Sequence, residues 1–236
     1  MFPLHDDNPT LRRPWVTYGL VAACLVVWGM VQGAGLDVER MGSSVCSLGA
    51  IPLEVRGQPG VEAGPCRPGG WAAGALVTSM FLHGGWFHLI GNLWFLWIFG
   101  NNVEDSMGRF RFVVFYLLVG VIAALAHVAA EPDSALPMVG ASGAISGVMG
   151  AYLVLFPRAR VKTLLVLIVF FTVIELPAFV YLLYWLALQL FSSAAGASSG
   201  VAFWAHIGGF LAGALLVPLF RRRRPPDGWV RAPVGV

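Results

Sequence analysis

Four polar side chains stand among apolar neighbours: His88, Asn92, Ser142 and His206. A serine hydroxyl becomes a nucleophile when a base takes its proton, and an imidazole is the usual base. Ser142 and His206 are therefore read as the nucleophile and general base of a pair that hydrolyses amide bonds. No carboxylate lies at their depth, since Glu131 and Asp133 fall in a loop and Glu175 on the opposite side. The expectation is a dyad, without the third, acidic member of a triad. Attack on an amide creates an oxyanion, which needs donors aimed at it. His88 and Asn92 are four residues apart, so they share one helix face and offer a ring N–H and an amide N–H. The backbone N–H groups near Ala141 and Ser142, at a helix start, add to them. Nothing in this set calls for a metal or a cofactor, and neither is expected.

Each residue has a plainer reading taken alone. A single Ser in an apolar helix commonly bonds its own backbone, and a single buried His commonly packs. By that reasoning His127 and His83 are given structural roles and His5 none. The candidate set stands out because its members fall at one depth, and the chain's organisation predicts that.

Of the 236 residues, 58% are hydrophobic and 11% charged, against about a quarter charged in soluble domains. This excludes disorder and an ordinary soluble enzyme. The 15 Lys and Arg are placed as topology signals, so no nucleic-acid partner is expected. Uncharged stretches of about 20 residues predict transmembrane helices at 15–36, 81–103, 112–130, 139–156, 175–191 and 201–220. The fold class expected is all-α: a polytopic membrane bundle of six helices spanning 15–220. Around it are an N-terminal tail (1–14), a long outer loop (37–70) and a basic C-terminal tail (221–236), both tails mobile. Pro177 and Glu175 suit the first turn of the fifth span, which leaves 161–173 on the interface or as a short re-entrant piece.

With the N-terminus inside, 12 of the 15 basic residues fall on the inner side, Arg221 to Arg224 included as an anchor. Only Arg40, Arg56 and Arg67 fall outside. Both termini are then cytoplasmic and the protein sits in the cell membrane. The same topology puts His88, Asn92, Ser142 and His206 in the outer parts of spans two, four and six. Gly143, Gly147 and Gly150 on span four, and Ala205, Gly209 and Gly213 on span six, make small faces that let two backbones approach. Their packing would bring Ser142 to His206, with Gly140, Gly143, Gly209 and Gly213 around the site. Cys46 and Cys66 both lie in the outer loop, where a disulfide is open to them in an oxidising compartment.

The sequence resembles the rhomboid intramembrane serine proteases, most closely the six-span bacterial type. Gly140-Ala141-Ser142-Gly143 is similar to the family's G-x-S-G motif. His88-Leu89-Ile90-Gly91-Asn92 is similar to its H-x-x-x-N, and Ala205 to Gly209 with Gly213 to its A-H-x-x-G-x-x-x-G. Gly100 to Phe110, with Glu104 and Gly108-Arg109, resembles the loop after the second span. The resemblance implies Ser142 as nucleophile, His206 as base, and His88 and Asn92 lining the oxyanion hole. It further implies transmembrane protein substrates cut near the outer face with small residues favoured, a first loop partly in the interface, and span five as a moving side gate. Two features depart from some relatives. Ser146 stands where they carry an aromatic ring against the base, and the Trp-Arg pair of their first loop is missing.

A catalytically silent relative that binds membrane clients is the alternative, although such proteins usually lack the Ser or the His. A small transporter fits less well, because the polar groups are near one face and no inverted repeat is visible. The sequence leaves the oligomeric state open.

Overall fold

The computed structural model describes residues 1–58, 66, 71–167, 170–195 and 200–222. The expected charges Glu62, Arg67, Arg223, Arg224 and Arg231 lie outside these residues. The chain is mostly helical. After strand β1 (Phe2–Asp6) come α1 (Trp15–Val26, prolonged by a π-turn over Val27–Val31), α2 (Val38–Leu48), α3 (Pro52–Val55) and α4 (Ala72–Thr78). The long helices α5 (Trp86–Met107) and α6 (Arg109–Ala130) follow, then α7 (Ser142–Leu155). Strands β2 (Arg160–Leu167) and β3 (Phe170–Pro177) precede α8 (Ala178–Ala194) and α9 (Phe203–Phe220).

Helices α6 and α9 are long and apolar enough to cross a membrane; the stretch Trp15–Val31, the stretch Ala72–Phe81, α7 and α8 are shorter apolar helices. The pattern of burial suits a lipid solvent. On α9, Leu211, Leu215 and Leu219 face outward, whereas Gly209, Gly213 and Val217 face the bundle. Large side chains thus lie outside and small ones inside, as expected where helices associate by close packing. The core is aromatic, with Phe99, Phe112, Phe115, Tyr116, Tyr152 and Tyr181 fully buried.

Helix α7 is nearly sealed. Every residue from Gly143 to Tyr152 is buried. It meets α9 backbone to backbone: a Cβ at Gly209 would strike the Gly143 carbonyl, and one at Gly213 the Gly147 carbonyl. The small faces read from the sequence therefore do set this contact. On its other sides α7 packs on α6, where Gly147 admits Val119, and on α5, where Phe99 and Tyr152 meet edge to face at 5.1 Å.

Several boundaries differ from expectation. Helix α5 starts at Trp86, after a 3-10 turn over Ser79–Phe81, and runs past Val103 to Met107. The stretch 104–107, expected beyond the end of the second span, is helical, and only Gly108 separates α5 from α6, with φ +80°. That angle favours glycine. Helix α8 starts at Ala178 with Pro177 capping it, so Glu175 does not open the helix. Instead Glu175 lies in β3 opposite Lys162, and Arg160 reaches it at 3.4 Å.

Residues 161–167 and 170–173 are strand. They belong to an antiparallel hairpin of β2 and β3, extended by β1 into a three-stranded sheet of order β1-β2-β3. The segment is rich in Val, Thr, Ile and Phe, which favour strands. The start of the N-terminal tail is correspondingly placed. Asp6 is buried and accepts from the Tyr152 hydroxyl at 2.5 Å, and the Trp94 indole donates to the Pro3 carbonyl at 2.7 Å.

The connection after α1 is also structured. Gln32 is buried and clamps the backbone of His83, its amide donating to the His83 carbonyl and accepting from the His83 N–H, both at 2.8 Å. Cys46 and Cys66 form a disulfide. Ala50 pairs with Met138, which ties this region to the approach to α7.

Candidate active site

Three helix starts converge: those of α5, α7 and α9. Ser142 is the first residue of α7, so its backbone N–H belongs to a turn whose N–H groups lack helical partners. Gly140, two residues earlier, has φ +124°, a conformation that side chains rarely adopt. Its N–H is held by the Ser79 carbonyl at 2.9 Å. The chain thus turns sharply into α7 and presents the serine at its tip.

His206 lies one turn into α9 and is 9% exposed. Its Nε2 is 2.8 Å from Ser142 Oγ. The glycine contacts of α7 and α9 place the two residues at this distance, since any Cβ at Gly209 would push the helices apart.

The α5 pair stands beside them. The His88 ring lies against Gly140: a Cβ built there would be 2.6 Å from His88 Nε2 and 3.6 Å from Ser142 Oγ. The Gly84 N–H donates to His88 Nδ1 at 3.2 Å. A neutral ring with Nδ1 accepting carries its proton on Nε2, the nitrogen on the serine side. Buried Asn92 donates one amide N–H to the His88 carbonyl at 2.9 Å, which leaves a second hydrogen on the same nitrogen. The His83 ring packs edge-on to His88 at 5.3 Å and is fully buried, and His127 is buried on α6. The geometry thus brings together Ser142, His206, His88 and Gly140, with Asn92 one turn below His88.

Gln189 is a further polar contact of the His206 imidazole. This α8 side chain places Oε1 2.9 Å from His206 Nδ1. Its amide nitrogen donates to the Trp185 carbonyl at 3.3 Å, and the Trp185 ring lies 5.8 Å from the His206 ring. Phe203 approaches the same imidazole edge-on at 6.4 Å. Rings from α8 and α9 therefore flank the base, while Ser146 turns away and donates to the Ser142 carbonyl at 2.6 Å. A polar residue inside the apolar stretch Ala178–Phe191 was the signal that would have found Gln189.

The Rhomboid domain profile matches residues 70–223. Rhomboid-like protein 11, chloroplastic, of Arabidopsis thaliana is 46% identical over 71 residues, 30% of this chain and 25% of its own length. Rhomboid protease GluP of Bacillus subtilis is 41% identical over 78 residues, 33% of this chain and 15% of its own. RHOMBOID-like protein 6, mitochondrial, of Arabidopsis thaliana is 33% identical over 156 residues, 65% of this chain and 45% of its own. The chain thus matches less than half the length of these curated relatives. The profile match covers more than half of the chain and includes His88, Asn92, Ser142 and His206, and the chain belongs to the rhomboid family.

Proposed function

We propose that this protein is an intramembrane serine endopeptidase that cuts membrane-spanning segments of other proteins. The observation that carries the reading is the 2.8 Å contact between Ser142 Oγ and His206 Nε2 in a largely buried setting. His206 accepts the hydroxyl proton as Oγ attacks the scissile carbonyl, and the carbonyl oxygen becomes the oxyanion. His88 Nε2–H, the second Asn92 amide hydrogen and the Ser142 backbone N–H stabilise it. The imidazolium then protonates the leaving amine, which departs as the C–N bond breaks. Water, deprotonated by the same His206, releases the acyl group from Oγ. No metal or cofactor takes part.

The reading includes six membrane spans, cytoplasmic termini and a site toward the outer face of the cell membrane. The Cys46–Cys66 disulfide supports that side, because the chain carrying it is tied to the strand leading into Ser142, and disulfides persist where conditions are oxidising. Arg109, Arg111, Arg221 and Arg222 support it too, since they cluster where α5, α6 and α9 end or begin away from Ser142.

The test is cleavage of a single-span substrate, with small residues near its outer end, by the purified protein in liposomes. Wild type is expected to cut, and folded Ser142→Ala and His206→Ala each to fall by at least about a thousandfold. Equal cutting by Ser142→Ala overturns the reading. Stable capture of the substrate without cutting by wild type would favour client binding instead.

A further inference from the structure

We infer that Gln189 is the positioning residue of His206, so that α8 controls whether the Ser142–His206 pair is competent. The inference rests on the protease reading above. A general base needs its accepting nitrogen toward the nucleophile, and a neutral imidazole has one donor and one acceptor nitrogen. His206 Nε2 faces Ser142 Oγ, and Nδ1 faces Gln189 Oε1 at 2.9 Å. The orientation of the Gln189 amide is set by its other end, where Nε2 donates to the Trp185 carbonyl. Oε1 therefore accepts, Nδ1 carries the proton, and Nε2 is left with the lone pair that takes the hydroxyl hydrogen. This is the task a buried carboxylate performs in a triad, done here by a neutral group.

The support comes from a different helix than the reactive pair. Ser142 and His206 sit on α7 and α9, whose backbones interlock at Gly143, Gly147, Gly209 and Gly213. Helix α8 has no such interlock and exposes Phe179, Leu183, Leu188 and Phe191 along its length. It brings Gln189 and Trp185, one helical turn apart, to the same imidazole. Displacing α8 would remove the acceptor from Nδ1 and the ring from beside it, while leaving Ser142 and His206 in place. The base would then be free to take the other tautomer or rotate.

The experiment compares wild type, Gln189→Ala, Gln189→Glu and Ser142→Ala with the single-span substrate in liposomes. It also reads the ring nitrogens of 15N-labelled His206 by NMR and the thermal midpoint of each protein. Gln189→Ala is expected to lower kcat about ten- to a hundredfold, the scale of a misoriented catalytic group, with KM within about twofold. Its His206 should lose the single Nδ1–H signature. Gln189→Glu should restore activity and raise the pH of the acid limb of kcat/KM, because an anion beside Nδ1 favours the imidazolium. The inference is overturned if Gln189→Ala cuts like wild type, if it keeps the Nδ1–H signature, or if its only effect is a lower thermal midpoint that Glu does not correct. Full cutting by Ser142→Ala would instead bring down the protease reading and this inference with it. An inert Ser142→Ala beside a fully active Gln189→Ala removes this inference alone.

Discussion

Two buried polar sites lie on α5, one near its start and one near its end, and they are built in opposite ways. Glu104 is 2% exposed, and its carboxylate accepts from the Val16 N–H at 3.0 Å, the Thr17 N–H at 2.7 Å and the Thr17 hydroxyl at 2.8 Å. It caps the first turn of α1 and lies at the positive end of that helix. At the other end of α5, Asn92 and His88 are held by one hydrogen bond each, to the His88 carbonyl and from the Gly84 N–H. Among the described residues, no hydrogen bond uses the second Asn92 N–H or the His88 Nε2–H. The Glu104 site spends its acceptors on its own fold. The two ends of α5 thus differ in how fully their polar groups are paired, although incomplete pairing alone does not mark the candidate site: the Tyr116 hydroxyl, the Trp28 indole and both ring nitrogens of His83 are buried and have no hydrogen-bond partner among the described residues.

The division can be broken by mutation. Glu104→Ala is expected to cost about 3–5 kcal/mol, since it strands buried donors at the start of α1. Unfolding in mixed micelles measures it, and the fraction that stays folded should keep kcat within about twofold. A stability loss under about 1 kcal/mol would mean that α1 is capped without Glu104. Asn92→Ala should do the reverse. On the protease reading it removes an oxyanion donor, so kcat is expected to fall about a hundred- to a thousandfold while stability changes by about 1 kcal/mol or less. Loss of stability equal to that at Glu104 would show that Asn92 is structural, and the comparison would collapse.

The sequence reveals these two sites unequally. Ser142, His206, His88 and Asn92 are legible because a polar side chain in an apolar stretch is conspicuous and topology levels the four. The glycines that join α7 to α9 are legible because small residues at a four-residue spacing have one clear use. Glu104 reads in the sequence as lying beyond the span, since a carboxylate conventionally ends one; only the three donors from α1 make it tolerable inside a helix. The role of Gln189 is not legible because its partner is 17 residues away on another helix, a distance no periodicity reports. The sheet is not legible because a run of apolar residues reads alike as strand or buried helix, and β1, which completes it, is more than 150 residues from β2.

The smallest expected effect lies at β1. Asp6 accepts from Tyr152, and burial, the largest influence, raises its carboxyl above the usual 3.8. The Tyr152 hydrogen bond opposes this rise without cancelling it. A carboxyl with a raised value in the folded protein binds its proton more tightly there than in the unfolded chain. Its contribution to stability is then complete below 3.8 and disappears as pH rises through the folded value. Asp6→Asn keeps an oxygen for Tyr152 and cannot ionise. The stability of wild type relative to Asp6→Asn should therefore rise as pH is lowered from 7 toward 4, by a modest amount set by one group. Parallel denaturation curves across that range measure it. A difference that stays flat would mean that Asp6 titrates as it does in the unfolded chain, and one that runs the other way would place a cation beside it. Either result would mean that burial does not govern the Asp6 carboxyl.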